Sequence, residues 1–158
     1  MTLDGSSDSL YEAGLTVRRE VLGGAYVDRA LAATGPFNHE FQQFITEYCW
    51  GAIWTDERLG RRDRSLLTLA MTAALGRMDE FRLHLSGAIR NGVTEPELAA
   101  VLKQIGVYCG VPAGVSCLRV LREVLAEGNK VAEESPPPGG PPCSARGETD
   151  SSRGRLDE

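Results

Sequence analysis

The sequence predicts an all-α domain. Apolar residues recur at intervals of three and four in six segments, glycine, asparagine and proline punctuate the gaps, and no run alternates in the two-residue rhythm of a half-buried strand. A chain of 158 residues has room for one domain with a substantial core, not for two comfortable ones.

In the first segment Ser9 and Glu12 have the spacing of a capping box, opening a helix in which Leu10, Gly14, Val17 and Val21 share one face. Gly23 and Gly24 stop it, and residues 1–9 are then a flexible lead. After TGPFN, Asn38 is placed to cap a second helix, along which Phe41, Phe44, Ile45, Tyr48, Cys49, Ala52 and Ile53 make an apolar stripe expected to face the core. The segment 61–75, RRDRSLLTLAMTAAL, has a charged first turn and is otherwise apolar nearly all round, as expected of a central helix enclosed by others.

Gly76 can end that helix, Asp79 is placed to cap the next, and Phe81, Leu85, Ala88 and Ile89 form the buried stripe of the partner, so the two make a hairpin. Thr94 and Glu97 repeat the capping-box spacing ahead of Leu98, Val101, Leu102, Ile105 and Tyr108. Gly110 closes that helix, and Pro112 suits the first turn of a last one reaching about Leu125. Residues 128–158 are rich in proline and glycine and poor in apolar side chains, which predicts a disordered tail and leaves 10–127 as the working domain.

Composition narrows the function. No apolar run approaches the roughly 20 residues of a bilayer-spanning helix, and the N-terminus lacks the positive flank and apolar stretch of a secretory signal, so a cytoplasmic setting is expected. The net charge of -5 sits mostly at the two ends of the chain; the nearly neutral body lacks the basic footprint that nucleic acid requires. Cys49, Cys109, Cys117 and Cys143 form neither a C-x-x-C pair nor a metal-like cluster, and read as small buried residues with Cys143 in the tail. Phosphate-cradling loops, dinucleotide fingerprints and a nucleophile elbow around Ser65 or Ser86 are also missing from the text.

Two patterns remain. Glu80 and His84 are four apart and stack on one helical face beside the apolar stripe. A structural pair at the core margin and a proton shuttle are both open readings, since an imidazole near neutral pKa beside a carboxylate suits either. Upstream, Arg58, Arg61, Arg62 and Arg64 crowd the start of the central helix. They read either as a solvated charged turn or, for Arg64 with Arg77 and the helix start at Asp79, as a carboxylate clamp for an acidic small molecule.

The stretches YEAGLTVRREVLGGAYVDRA, FITEYCWGAIW, GRRDRSLLTLAM and VYCGVPAG, running in order from Tyr11 to Leu125, resemble the carboxymuconolactone decarboxylase family. The resemblance implies an all-α AhpD-like fold of about six helices, homo-oligomers of three or six copies, a dicarboxylate lactone as substrate, and loss of CO2 without metal or cofactor. Trp50 and Trp54, read as exposed, are compatible with such assembly. In peroxidatic relatives of this fold C-x-x-C precedes a histidine; here Arg77 and Glu80 take the cysteine positions and His84 the histidine position. The implied roles are proton delivery by His84, tuning of it by Glu80, carboxylate binding by Arg64 and Arg77, and pocket lining by Glu47, Tyr48 and Trp50. Val115 stands where relatives often carry an amide, so the resemblance implies no polar contact from that position at the start of the last helix. A thiol peroxidase, an enzyme for another lactone and a non-catalytic helical scaffold are the alternatives.

Overall fold

A computed structural model describes the backbone of residues 4–33 and 35–134, with side chains for 9–33 and 35–128. Seven α-helices run in order, α1 (Asp4–Leu22), α2 (Gly24–Ala32), α3 (Pro36–Ile45), α4 (Arg61–Ala74), α5 (Met78–Arg90), α6 (Glu95–Tyr108) and α7 (Val111–Glu134). Between α3 and α4 the segment Thr46–Trp54 is wound as a π-helix. Every regular element among the described residues is helical.

Several boundaries differ from those read in the sequence. Helix α1 already runs from Asp4, so Ser9 and Glu12 lie inside it and cap nothing. Gly23, at φ 90°, does break the chain, but α2 starts at the next residue. That helix buries only Val27, too little pattern to announce itself. Asn38 does not cap α3, whose first turn is set by Gly35 and Pro36. It donates instead to the carbonyls of Ala30 (3.2 Å) and Ala33 (2.7 Å), closing the end of α2. Asp79 lies in the first turn of α5, with Arg77 in the capping position after Gly76 at φ 68°. The second capping box is as predicted: the Glu97 carboxylate accepts from the Thr94 N–H and hydroxyl, both at 2.9 Å. Helix α7 continues past Glu127 to Glu134; the remaining tail 135–158, with Cys143, lies outside the described residues.

Two apolar clusters share α5. One joins α4 to α7 through Leu69, Phe81, Leu85, Leu98, Cys117 and Val120. The other joins α1, α2 and the π segment through Val17, Val21, Val27, Trp50 and Trp54, with Leu83 of α5 packed against it. The two tryptophans, expected at the surface, are therefore buried, at 5% and 9% exposure.

The stripe read along residues 41–53 turns outward instead. Phe41, Phe44, Tyr48, Cys49, Ala52 and Ile53 are exposed, while Thr46, Trp50, Gly51 and Trp54 are buried. Apolar spacing marks a stripe but not the side that the chain covers: α3 buries none of its residues, and the buried positions of the π segment, including Thr46, Trp50 and Trp54, lie on the other face. Helix α4 is likewise not enclosed, since Leu67 and Met71 on it are exposed, as is Leu75 just past its end. Cys49 and Cys109 are exposed as well; Cys117 alone of the three described cysteines is buried.

Helix α1 and the π segment touch backbone to backbone. A Cβ on Gly14 would lie 2.6 Å from the Gly51 nitrogen and closer still to the Thr46 carbonyl; one on Gly51 would lie 2.9 Å from Leu10 Cγ and press on the Leu10 carbonyl. Only glycine fits on either side. Gly51→Ala is therefore expected to lower unfolding free energy by about 1–3 kcal/mol or more, as overpacking does. Urea denaturation followed by circular dichroism measures this, and an unchanged midpoint would disprove the tight contact.

Candidate active site

His84 lies on the side of α5 that faces the second cluster. Phe81, Leu85 and Ala88 commit one face of the helix to the first cluster, while Gly87 lets α1 approach on the other, where an added Cβ would lie 3.0 Å from the Val21 carbonyl. The imidazole is partly buried and lies nearly parallel to two indoles. Its ring centroid is 6.2 Å from those of Trp50 and Trp54, at interplanar angles of 15° and 16°, and the two indoles stack on each other at 4.9 Å. Thr55, whose hydroxyl donates to the Gly51 carbonyl, closes the end of the π segment behind them.

Burial pushes the His84 pKa below its ordinary 6.5, and the negative charge of Glu80, one turn earlier on α5, opposes that shift. At neutral pH the free side chain is thus mostly uncharged, with a carboxylate close enough to favour its protonated form.

The arginine-rich start of α4 is largely engaged within the chain. Arg58 pairs with Asp56, whose carboxyl is held down at about 2; Arg61 pairs with Glu20 at 2.5 Å, and Arg62 with Glu97. Arg64 donates through Nε to the Leu59 carbonyl (3.0 Å) and through Nη2 to that of Asp56 (2.6 Å). It thereby ties down the loop ahead of α4, which walls a hollow of about 350 Å³ bordered by Trp54, Thr55, Leu59 and Arg61. Arg77 stands exposed at the head of α5, on the same helical face as Glu80 and His84.

Of the sequence-predicted residues, the structure brings Trp50 to His84 and sets Glu80 within electrostatic reach of it. Glu47 lies elsewhere, accepting from Gln43 (2.9 Å) and bordering a separate hollow with Tyr11 and His39. Tyr48 is exposed and packs on Phe44 at 5.1 Å. Trp54 is not among the residues that the sequence singles out for the site: its i, i+4 spacing from Trp50 is the available signal, but spacing alone does not say that the pair faces inward. Neither is Arg18. It is 3% exposed and donates to Thr46 Oγ1 (2.9 Å) and Gln42 Oε1 (2.8 Å), and burial pushes its pKa down.

These features define an all-α domain with an imidazole half-sheltered against a pair of tryptophans. The model of the carboxymuconolactone decarboxylase family matches residues 39–123. The chain is 40% identical to the 4-carboxymuconolactone decarboxylase of Acinetobacter baylyi over 122 residues, covering 77% of this chain and 91% of that one. It is 38% identical to the nitrosuccinic acid decarboxylase of Metarhizium robertsii over 129 residues, 79% of this chain and 90% of that one. A 4-carboxymuconolactone decarboxylase sequence of Pseudomonas putida is 54% identical over 41 residues, 26% of this chain and 85% of that one. The chain belongs to the carboxymuconolactone decarboxylase family.

The lowered His84 pKa carries a sign for stability. The unfolded chain takes up this proton first as pH falls, so the contribution of neutral His84 is present above about 6.5 and is lost progressively below it. His84→Gln should flatten the loss of stability between about pH 7.5 and 5.5 relative to the parent. Denaturant midpoints across that range provide the check; parallel pH profiles for the two proteins would contradict a burial-depressed imidazole.

Proposed function

We propose that this chain is a carboxy-lyase that converts 4-carboxymuconolactone to β-ketoadipate enol-lactone and CO2 in the breakdown of protocatechuate. The observation that carries this reading is the 40% identity extending over 91% of the Acinetobacter baylyi decarboxylase. The sheltered imidazole supplies the chemistry that such a reaction needs.

The substrate is a butenolide whose saturated ring carbon bears the departing carboxylate. As the C–C bond to CO2 breaks, its electron pair moves through the ring alkene into the lactone carbonyl, giving an oxyfuran-type dienolate. Protonation of the carbon beside that carbonyl restores the lactone and completes the reaction. The substrate is its own electron sink, so the protein has to orient a dianion, stabilise charge on the lactone oxygen and deliver one proton.

His84 delivers that proton. Glu80 raises its pKa against burial, and an arriving dianion pushes in the same direction, so substrate binding itself favours the loaded acid. Arg77, exposed on the same face, binds a substrate carboxylate, while Arg64 acts through the loop that it holds. Trp50 and Trp54 shelter the imidazole, and Trp54 also borders the hollow ahead of α4. The nitrosuccinic acid relative fits the same scheme, since a nitro group also accepts the electron pair released with CO2.

The working form is a cytoplasmic homo-oligomer of three or six copies. The exposed aromatic stripe of Phe37, Phe41, Phe44 and Tyr48 supports this, because a monomer rarely leaves such a surface in water.

His84→Gln should leave the fold intact and reduce turnover of freshly generated 4-carboxymuconolactone by about 100-fold or more. Ultraviolet absorbance and released CO2 report it together; near-normal turnover removes His84 from the mechanism. In the parent enzyme kcat/KM should fall as pH rises past a value below 6.5, while the limb in kcat lies at higher pH because bound substrate raises the imidazole. Steady-state kinetics across pH decide this, and coincident limbs would remove the coupling between dianion binding and protonation.

A further inference from the structure

We infer that Arg18 is a positioning residue for the His84 site, locking the junction at which α3 passes into the π segment and so fixing how Trp50 and Trp54 meet the imidazole. The inference rests on the reading of His84 given above.

Thr46 is the junction. It is the first residue of the π segment, directly after the last residue of α3, and its backbone N–H is shared between the carbonyls of Gln42 and Gln43, a three-centre bond common at helix ends. Its side chain is completely buried, and its hydroxyl donates to the Gln42 carbonyl at 2.7 Å while accepting from Arg18 Nη1 at 2.9 Å. The other arm of the same guanidinium donates to the Gln42 side chain at 2.8 Å. The planar fork of Arg18 therefore grips residues 42 and 46 together, the last α turn and the first π residue.

This grip is costly as a stability device. A buried cation with neutral acceptors gains little over an apolar side chain of similar length, and Arg18 Nε is buried without a hydrogen-bond partner. What the guanidinium does supply is geometry. Trp50 and Trp54 lie one and two turns beyond Thr46 on the same rigid segment, so an error in register at the junction reaches both rings and the imidazole beside them.

The test compares Arg18→Met, Arg18→Lys and Thr46→Val by urea denaturation, near-ultraviolet circular dichroism of the stacked indoles, and steady-state kinetics. Arg18→Met is expected to unfold cooperatively near the parent midpoint, to show an altered indole spectrum, and to lose about 10- to 100-fold in kcat, as misplacement by an ångström does. KM should stay within about threefold of the parent, because substrate binding is not what is removed. Arg18→Lys, which keeps the charge but not the fork, should recover part of the spectrum and of kcat. A folded Arg18→Met with the parent spectrum and kcat overturns the inference. If that variant does not fold, Thr46→Val decides by the same criteria, and an unchanged spectrum and kcat there overturn it equally. Retained turnover in His84→Gln would sink the acid assignment alone, since the indole spectrum reports the junction independently of it.

Discussion

The contact on which the rest of the molecule depends is the close crossing of α1 and the π segment at Gly14 and Gly51. Two backbones meet there with no side chain between them, which fixes the depth at which the following residues lie. With α1 pressed against α5 at Gly87, that depth decides which ring surfaces reach His84. A thicker side chain at any of the three glycines would lift one helix off another and open the space that the indoles close. The second cluster thus owes its shape to missing side chains as much as to the apolar ones that fill it.

Charge is arranged around this scaffold with a clear division. Ion pairs hold elements together at the rim: Arg61 to Glu20 joins α4 to α1, Arg62 to Glu97 joins α4 to α6, and Arg82 to Glu123 and Glu127 joins α5 to α7. Each is partly solvated and contributes modestly. The head of α5 is different, since it sets an exposed cation, Arg77, and an exposed anion, Glu80, in front of a desolvated imidazole.

Much of the fold was readable because local signals and tertiary packing agree. The stripe of Phe81, Leu85 and Ala88, the capping box at Thr94 and Glu97, and the glycine stops at 76 and 110 all act within one or two turns of chain. Reading failed where the deciding contact is remote. Arg18, 28 positions away, meets Thr46 only in the packed chain, and α1 covers the face that carries Gly51, so spacing alone points Phe41, Phe44 and Tyr48 inward and Trp50 and Trp54 outward. The site shows the same split. Glu80 and His84 are neighbours by helical spacing alone, whereas the part played by Trp54, and the engagement of Arg64 with loop carbonyls, exist only once distant segments are packed.

Because α5 is a party wall, with one side given to a dense apolar cluster and the other to the tryptophans and the imidazole, the two jobs of the domain are written in separate sets of residues. Leu69, Phe81, Leu98 and Val120 can hold the architecture constant while side chains around the imidazole change, provided that the glycine crossings stay. A lineage built this way can retarget itself to a new carbon acid without first renegotiating its own solidity.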